Sequence, residues 1–216
     1  MHPIYRGLAF LALAALGPVA TAAAQSFSGG VIVGVSSSTV SNFGNVGPTT
    51  LRRRTGVVAG LSVEALLARF ASLQPEILYV QKGIRLDAPL VAGASSASTS
   101  LTERFDYVEV PILVRLGATA ARPGLYVLAG PAVAVLVRAR ERFEVPGLPT
   151  RDQDIKHGVT STDAGLLLGA GFSTGRLGIE GRFDIGLRNL IPPADRRAGD
   201  AERTHRSVSI AGRLRF

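Results

Sequence analysis

The chain has 216 residues, 46% of them hydrophobic, and a formal net charge of +8. It contains no Cys, which excludes a disulfide framework, a thiolate metal site and a cysteine nucleophile. Only Lys82 and Lys156 among its 24 basic residues are lysines, and the arginines are scattered without the basic stripe and interleaved aromatics of a nucleic-acid binder.

The N-terminus opens on Met1-His-Pro-Ile-Tyr-Arg6, continues almost wholly apolar from Gly7 to Ala20, and ends on Thr-Ala-Ala-Ala-Gln25. A positive start, an apolar core and small residues at Ala22 and Ala24 predict a secretory signal peptide over 1–24, cut near Gln25. The alternative, a membrane anchor, has against it the short apolar core and the break at Pro18. Residues 25–216 are then one domain. No later segment offers 18 unbroken apolar residues, so no membrane helix is expected.

Beyond residue 25 the dominant signal is alternation with period two. Eight segments follow it, at about 27–36, 54–66, 70–84, 102–117, 123–138, 162–174, 176–189 and 205–216. In 71–79, Leu73, Ile77 and Tyr79 oppose Ser72, Gln74 and Glu76. In 106–116, Val108, Val110, Ile112, Val114 and Leu116 oppose Tyr107, Glu109 and Arg115. In 177–188, Leu177, Ile179, Phe183, Ile185 and Leu187 oppose Glu180, Arg182, Asp184 and Arg188. Segments 57–67 and 125–137 are more uniformly apolar and leave the facing open; 61–69 also fits a short helix. The connections alternate between long (37–53, 85–101, 139–161, 190–204) and short (67–69, 118–122, near 175). Long loops at one end and short turns at the other are the layout of an all-β, eight-stranded, antiparallel up-and-down transmembrane β-barrel.

In such a barrel the apolar face meets lipid and the polar face fills a narrow lumen. The lumen is therefore expected to hold Glu76, Glu109, Asp163, Glu180 and Asp184 against Arg115, Arg182, Arg188, Arg213 and Arg215. Charges of both signs are required there, because an unpaired charge at low dielectric costs several kcal/mol. Gly165, Gly169 and Gly171 fall on the same inward face and leave room for arginine side chains. A soluble, lipocalin-like barrel accounts for each strand singly, with the faces reversed.

The sequence resembles small outer-membrane β-barrel families labelled porin-like or PorT-like. The carrying residues are Leu73-Gln-Pro-Glu-Ile-Leu-Tyr79 with Gln81-Lys-Gly83, Tyr107-Val-Glu-Val-Pro-Ile-Leu113, Tyr126-Val-Leu-Ala-Gly-Pro131, Asp163-Ala-Gly-Leu-Leu-Leu-Gly-Ala-Gly171 and Ile179-Glu-Gly-Arg-Phe183. The resemblance covers roughly 27–216 and implies the fold and an outer-membrane location in a Gram-negative-type bacterium. It says little about function. Many such barrels end in an aromatic residue read by the barrel-assembly machinery. Here Phe216 closes the row Val208, Ile210, Leu214, which Gly212 interrupts.

Chemistry is sparse. No spacing of His, Asp and Glu points to a metal, and no glycine-rich turn has the strand-to-helix context of a phosphate loop, so no cofactor is expected. His205 and Ser207 share a strand face, the spacing used by some lipid A deacylases, but no carboxylate orienter can be named beside them. Arg52-Arg-Arg54 and Arg196-Arg197 fall at the external end, where guanidinium groups match the phosphates of lipopolysaccharide. The reading that follows is a structural or adhesive protein acting through long external loops, without catalysis. A narrow porin-like channel and a lipid A-modifying hydrolase are the alternatives.

Overall fold

The computed structural model describes residues 26–41, 50–89, 98–119, 122–191 and 203–216; the expected signal peptide and Arg196-Arg197 lie outside them. The strands are β1 (Phe27–Val40), β2 (Thr50–Ala68), β3 (Ala71–Pro89), β4 (Ser98–Thr119), β5 (Arg122–Glu144), β6 (Arg151–Asp154), β7 (Thr162–Thr174), β8 (Leu177–Gly186) and β9 (His205–Arg215). All pairings are antiparallel. Each strand of the ring pairs with its neighbours along the chain, and β1 also pairs with β9 from Gly30↔Arg215 to Val40↔His205, which closes eight strands into a barrel. The short β6 stands outside the ring, on the edge of β5 beyond the start of β7.

Residues 61–69, open to a helical reading, continue β2 as strand up to a two-residue turn at Arg69-Phe70. The turn between β7 and β8 is equally tight, and Gly175 takes φ of +71° there, as hairpin turns matched to strand twist require. The opposite end differs from expectation. Most of the stretch read as the loop 85–101, and the first part of 139–161, is strand: β3 runs to Pro89, β4 starts at Ser98 and β5 runs to Glu144. Their outward row is polar, so the apolar alternation that marks the belt lapses there. The four strands β2 to β5, each 19 to 23 residues long, make a tall wall, while β7 and β8, of 13 and 10 residues, make a low one.

The exterior is apolar around the whole ring. Val33, Leu61, Ile77, Ile112, Val133, Leu168, Ile179 and Ile210, one from each of the eight strands, are all exposed. A water-soluble surface rarely carries a contiguous apolar patch beyond a few hundred Å2, so a complete belt calls for lipid. Among the described residues no helix is long and apolar enough to cross a membrane.

The two segments of open facing are resolved by the same belt. Val57, Leu61 and Val63 point out while Val58, Ser62 and Glu64 point in; Leu125, Val127, Val133 and Val135 point out while Tyr126, Leu128, Ala132 and Leu136 point in. The interior thus contains apolar layers as well as charge. One lies near the short turns (Leu113, Ala118, Tyr126, Leu128, Leu167), and others lie toward the opposite end (Phe105, Tyr107, Leu136 with Ile155 and Val159; Val40, Ile84, Leu86 with Leu101 and Leu190).

Candidate functional site

The lumen charges form two crossbars between strands on opposite sides of the ring. In the first, Arg182 of β8 reaches Glu76 of β3 with both terminal nitrogens, Nη1 to Oε2 at 2.7 Å and Nη2 to Oε1 at 2.8 Å. Its Nε also donates to Glu180 at 2.9 Å. Arg213 of β9 joins from the side, donating to Glu76 Oε1 at 3.0 Å and lying 3.3 Å from Glu180. Gln74 Nε2 donates to Glu76 at 2.6 Å, and the Tyr126 hydroxyl donates to Glu180 at 2.8 Å. Two carboxylates and two guanidiniums, all buried, are thus joined by charge-assisted bonds, with Arg213 Nε left without a hydrogen-bond partner.

The second crossbar is built on Lys82 of β3, whose Nζ lies 3.0 Å from Glu109 Oε2 and donates to Asp184 of β8. Nearer the short turns, Glu64 lies 3.4 Å from Arg215 and 3.7 Å from Arg115. The Arg115 guanidinium stacks 3.5 Å over the Tyr126 ring. Small residues make the room. A Cβ on Gly171 would meet the Tyr126 ring at 2.5 Å, and one on Gly169 would meet Leu128 at 2.9 Å. Between the crossbars the enclosed space is about 20 Å3, bounded by Ser36, Glu109, Leu167, Arg182, Asp184 and Ser207 among others. That is room for about one water.

Of the ten residues expected in the lumen, Glu76, Glu109, Arg115, Asp163, Glu180, Arg182, Asp184, Arg213 and Arg215 are buried inside. Arg188 is not. The strand ends at Gly186, alternation lapses, and Leu187 and Arg188 are both exposed, with Arg188 donating to Thr162. Asn189 takes the buried place instead, its Oδ1 accepting from the backbone N–H of Ile191 at 3.0 Å. Two lumen members escaped the sequence reading. Lys82 continues the parity of Gln74 and Glu76 but lies past two apolar residues, Leu78 and Val80. Glu64 sits in the segment whose facing was open.

The pair His205 and Ser207 points into the barrel, away from the lipid where an acyl substrate would lie. His205 is fully buried, its Nε2 3.2 Å from the Tyr107 hydroxyl, and Ser207 leans on Asp184 at 3.5 Å. Phe216 is 74% exposed, and its backbone extends the β1–β9 ladder through bonds of 3.0 and 3.2 Å to Gly29. Its ring covers Gly29, where a Cβ would stand 2.8 Å from Cε2.

The outer wall of β2 to β5 changes abruptly beyond the belt. In β5 both Val137 and Arg138 are exposed, and the pairing with β4 slips by one between Tyr107↔Leu136 and Asp106↔Arg138. This bulge reverses parity. Arg138, Arg140 and Arg142, which strict alternation would aim at the mouth, are turned outward instead, beside Arg104 and Thr102 of β4 and Arg54 of β2.

Residues 23–192 match the family described as outer membrane protein beta-barrel domain. No curated protein matches the chain. Among solved structures it is similar to Ail, the attachment invasion locus protein of Yersinia pestis, crystallised with the heparin analogue sucrose octasulfate; identity is 11%, coverage 88% of this chain and 99% of that one, and the TM-score 0.43. Neisserial surface protein A is similar at 11% identity, covering 90% and 100%, with a TM-score of 0.43. OprG from Pseudomonas aeruginosa is similar at 10% identity, covering 88% and 94%, with a TM-score of 0.32. Likeness this distant carries nothing about ligand or role. The family match extends over most of the strands that make the lipid-facing belt, and the chain belongs to the outer-membrane β-barrel domain family, with the outer membrane as its location.

Proposed function

We propose that this barrel is a sealed scaffold in the outer membrane whose external end makes surface contacts, in a structural or adhesive role without catalysis or open-pore transport. The observation that carries the reading is the lumen. Two salt-bridged crossbars join opposite walls, the space between them is about 20 Å3, and apolar side chains pack inside the ring toward the external end. A hydrated pathway needs a continuous polar bore, and charges held by two or three partners each are poorly suited to stepping aside for ions. The tall wall supports the surface role, since β2 to β5 carry backbone well past the lipid-facing belt. Residues 1–24 are read as the signal peptide for export. Phe216 is read as part of the C-terminal strand signal that the assembly machinery takes.

A planar bilayer loaded with purified protein tests the seal, with no unitary current steps expected. Stepwise ohmic conductance would replace this reading with the narrow channel. Trimming 42–49 and 90–97 tests the surface role: the trimmed barrel should keep its heat-dependent gel shift while cells expressing it lose adherence gained with the full chain.

A further inference from the structure

We propose that the outer wall of β2 to β5, immediately beyond the apolar belt, is a cleft for the phosphates of a lipopolysaccharide headgroup, with Arg54, Arg104, Arg138, Arg140 and Arg142 as its cations. The inference goes beyond the surface-contact role and is independent of it. It rests on the long-strand end being external, as short periplasmic turns require.

The cleft encloses about 300 Å3 and is lined by those five arginines with Thr102 and Asp152. The register makes it electrostatically uncomfortable when empty. Arg104 stands directly opposite Arg140 across the β4–β5 ladder, and like charges so placed repel. The carboxylates nearby do not cancel the excess. Asp106, 3% exposed beneath the surface, takes Arg104 alone, with Nε to Oδ1 at 2.8 Å and Nη2 to Oδ2 at 3.1 Å. Asp152 lies 3.6 Å from Arg140, and Glu144 holds Arg142 at 2.8 Å. Arg138 has no ion pair among the described residues, and Arg54 Nη1 is a buried donor with no hydrogen-bond partner. Gly83 leaves the space in which Arg54 lies, since a Cβ there would stand 2.9 Å from Arg54 Cδ.

The place of the cleft identifies the anion's source. Along each strand the outward row passes from belt to cleft within one or two positions: Tyr79 to Gln81, Val108 to Asp106 and Arg104, Val137 to Arg138. Tyr79, at the edge of the belt, accepts from Gln81 Nε2 at 3.0 Å and lies 3.5 Å from Arg104 Nη2, an aromatic at the headgroup level tied to the cluster. An anion here has its acyl chains against Val108, Val133 and Val135. A phosphorylated glycolipid of the outer leaflet meets both conditions, and planar guanidiniums bind its phosphates bidentately.

The test compares wild type with Arg138→Gln/Arg140→Gln/Arg142→Gln, both folded in detergent and checked by heat-dependent gel shift. Arg122→Gln/Arg176→Gln, at the short-turn end, serves as control. The probes are bisphosphorylated lipid A, fully dephosphorylated lipid A and a heparin oligosaccharide. The cleft predicts that the triple variant loses at least about tenfold in affinity for bisphosphorylated lipid A, since charge-assisted bidentate contacts of this kind carry such factors. Dephosphorylated lipid A should bind wild type and variant alike and weakly, the control should match wild type, and added salt should erase the difference. Three results overturn the proposal: a triple variant equal to wild type, a wild type indifferent to the phosphates, or binding of heparin in preference to bisphosphorylated lipid A. Should the triple variant fail to fold, Arg140→Gln alone, about half exposed and free of lumen contacts, must still weaken binding, and Arg140→Lys must restore part of it.

Discussion

The arginines of this barrel fall into two populations that share a side chain and little else. Arg115, Arg182, Arg213 and Arg215 lie in the lumen, each no more than about 7% exposed and each within 4 Å of a carboxylate. Arg104, Arg138, Arg140 and Arg142 stand on the outer wall, crowded against one another, with side chains of the three paired ones 37 to 56% exposed. Desolvation is the difference. Inside, water cannot readily replace a missing partner, so each charge depends on the opposite charges within reach, and the network bears on whether the barrel holds together. Outside, water and salt stand in for any partner, so surplus positive charge is tolerable and is left over for binding.

The comparison breaks most visibly at Glu76, which accepts from Arg182, Arg213 and Gln74 together. Glu76→Leu leaves two guanidiniums against one carboxylate and should lower unfolding free energy in lipid vesicles by about 3–5 kcal/mol. A loss under about 1 kcal/mol would mean that water enters the lumen freely and the crossbars are not structural. The belt gives the next effect. Ile112 lies mid-strand in β4 and is 49% exposed to what is read as lipid. Ile112→Arg should cost about 2–4 kcal/mol in the same vesicles. A cost near zero would put that face in water. Smallest at equilibrium is the C-terminus: Phe216→Ser should change stability by less than about 1 kcal/mol, because the ring touches little beyond Gly29. Its effect should appear in the amount of barrel assembled in cells, with export unchanged. Wild-type outer-membrane levels would remove Phe216 from the assembly signal.

The eight-stranded ring and the inward face were legible because membrane strands spell their facing in a period of two. Glu180, Arg182 and Asp184 alternate with Ile179, Phe183 and Ile185. What was hidden has physical reasons. Lys82 sits where the lumen row turns apolar at Leu78 and Val80, so charge no longer marks the face. Arg188 keeps the parity of its strand on paper, but pairing stops at Gly186. Arg140 and Arg142 were assigned to a loop because the outward row of a strand beyond lipid is polar, and the apolar period of two lapses there. The bulge at Val137, which decides that Arg138, Arg140 and Arg142 face outward, is a matter of pairing and leaves no mark in composition. His205 and Ser207 share the parity of Arg213 and Arg215 and so fall on the inward row, but only the folded ring brings Tyr107 and Asp184 against them.

The most direct test makes the same substitution in both populations. Arg182→Leu removes the main crossbar and strands Glu76 and Glu180 in part, whereas Arg140→Leu removes an outer-wall charge and relieves its repulsion with Arg104. Unfolding free energies in vesicles of one lipid composition should fall by about 3–5 kcal/mol for Arg182→Leu. They should move by no more than about 0.5 kcal/mol for Arg140→Leu. Equal and small changes at the two sites, or a larger loss at Arg140, would contradict the division of the barrel into a locked charged lumen and a free charged rim.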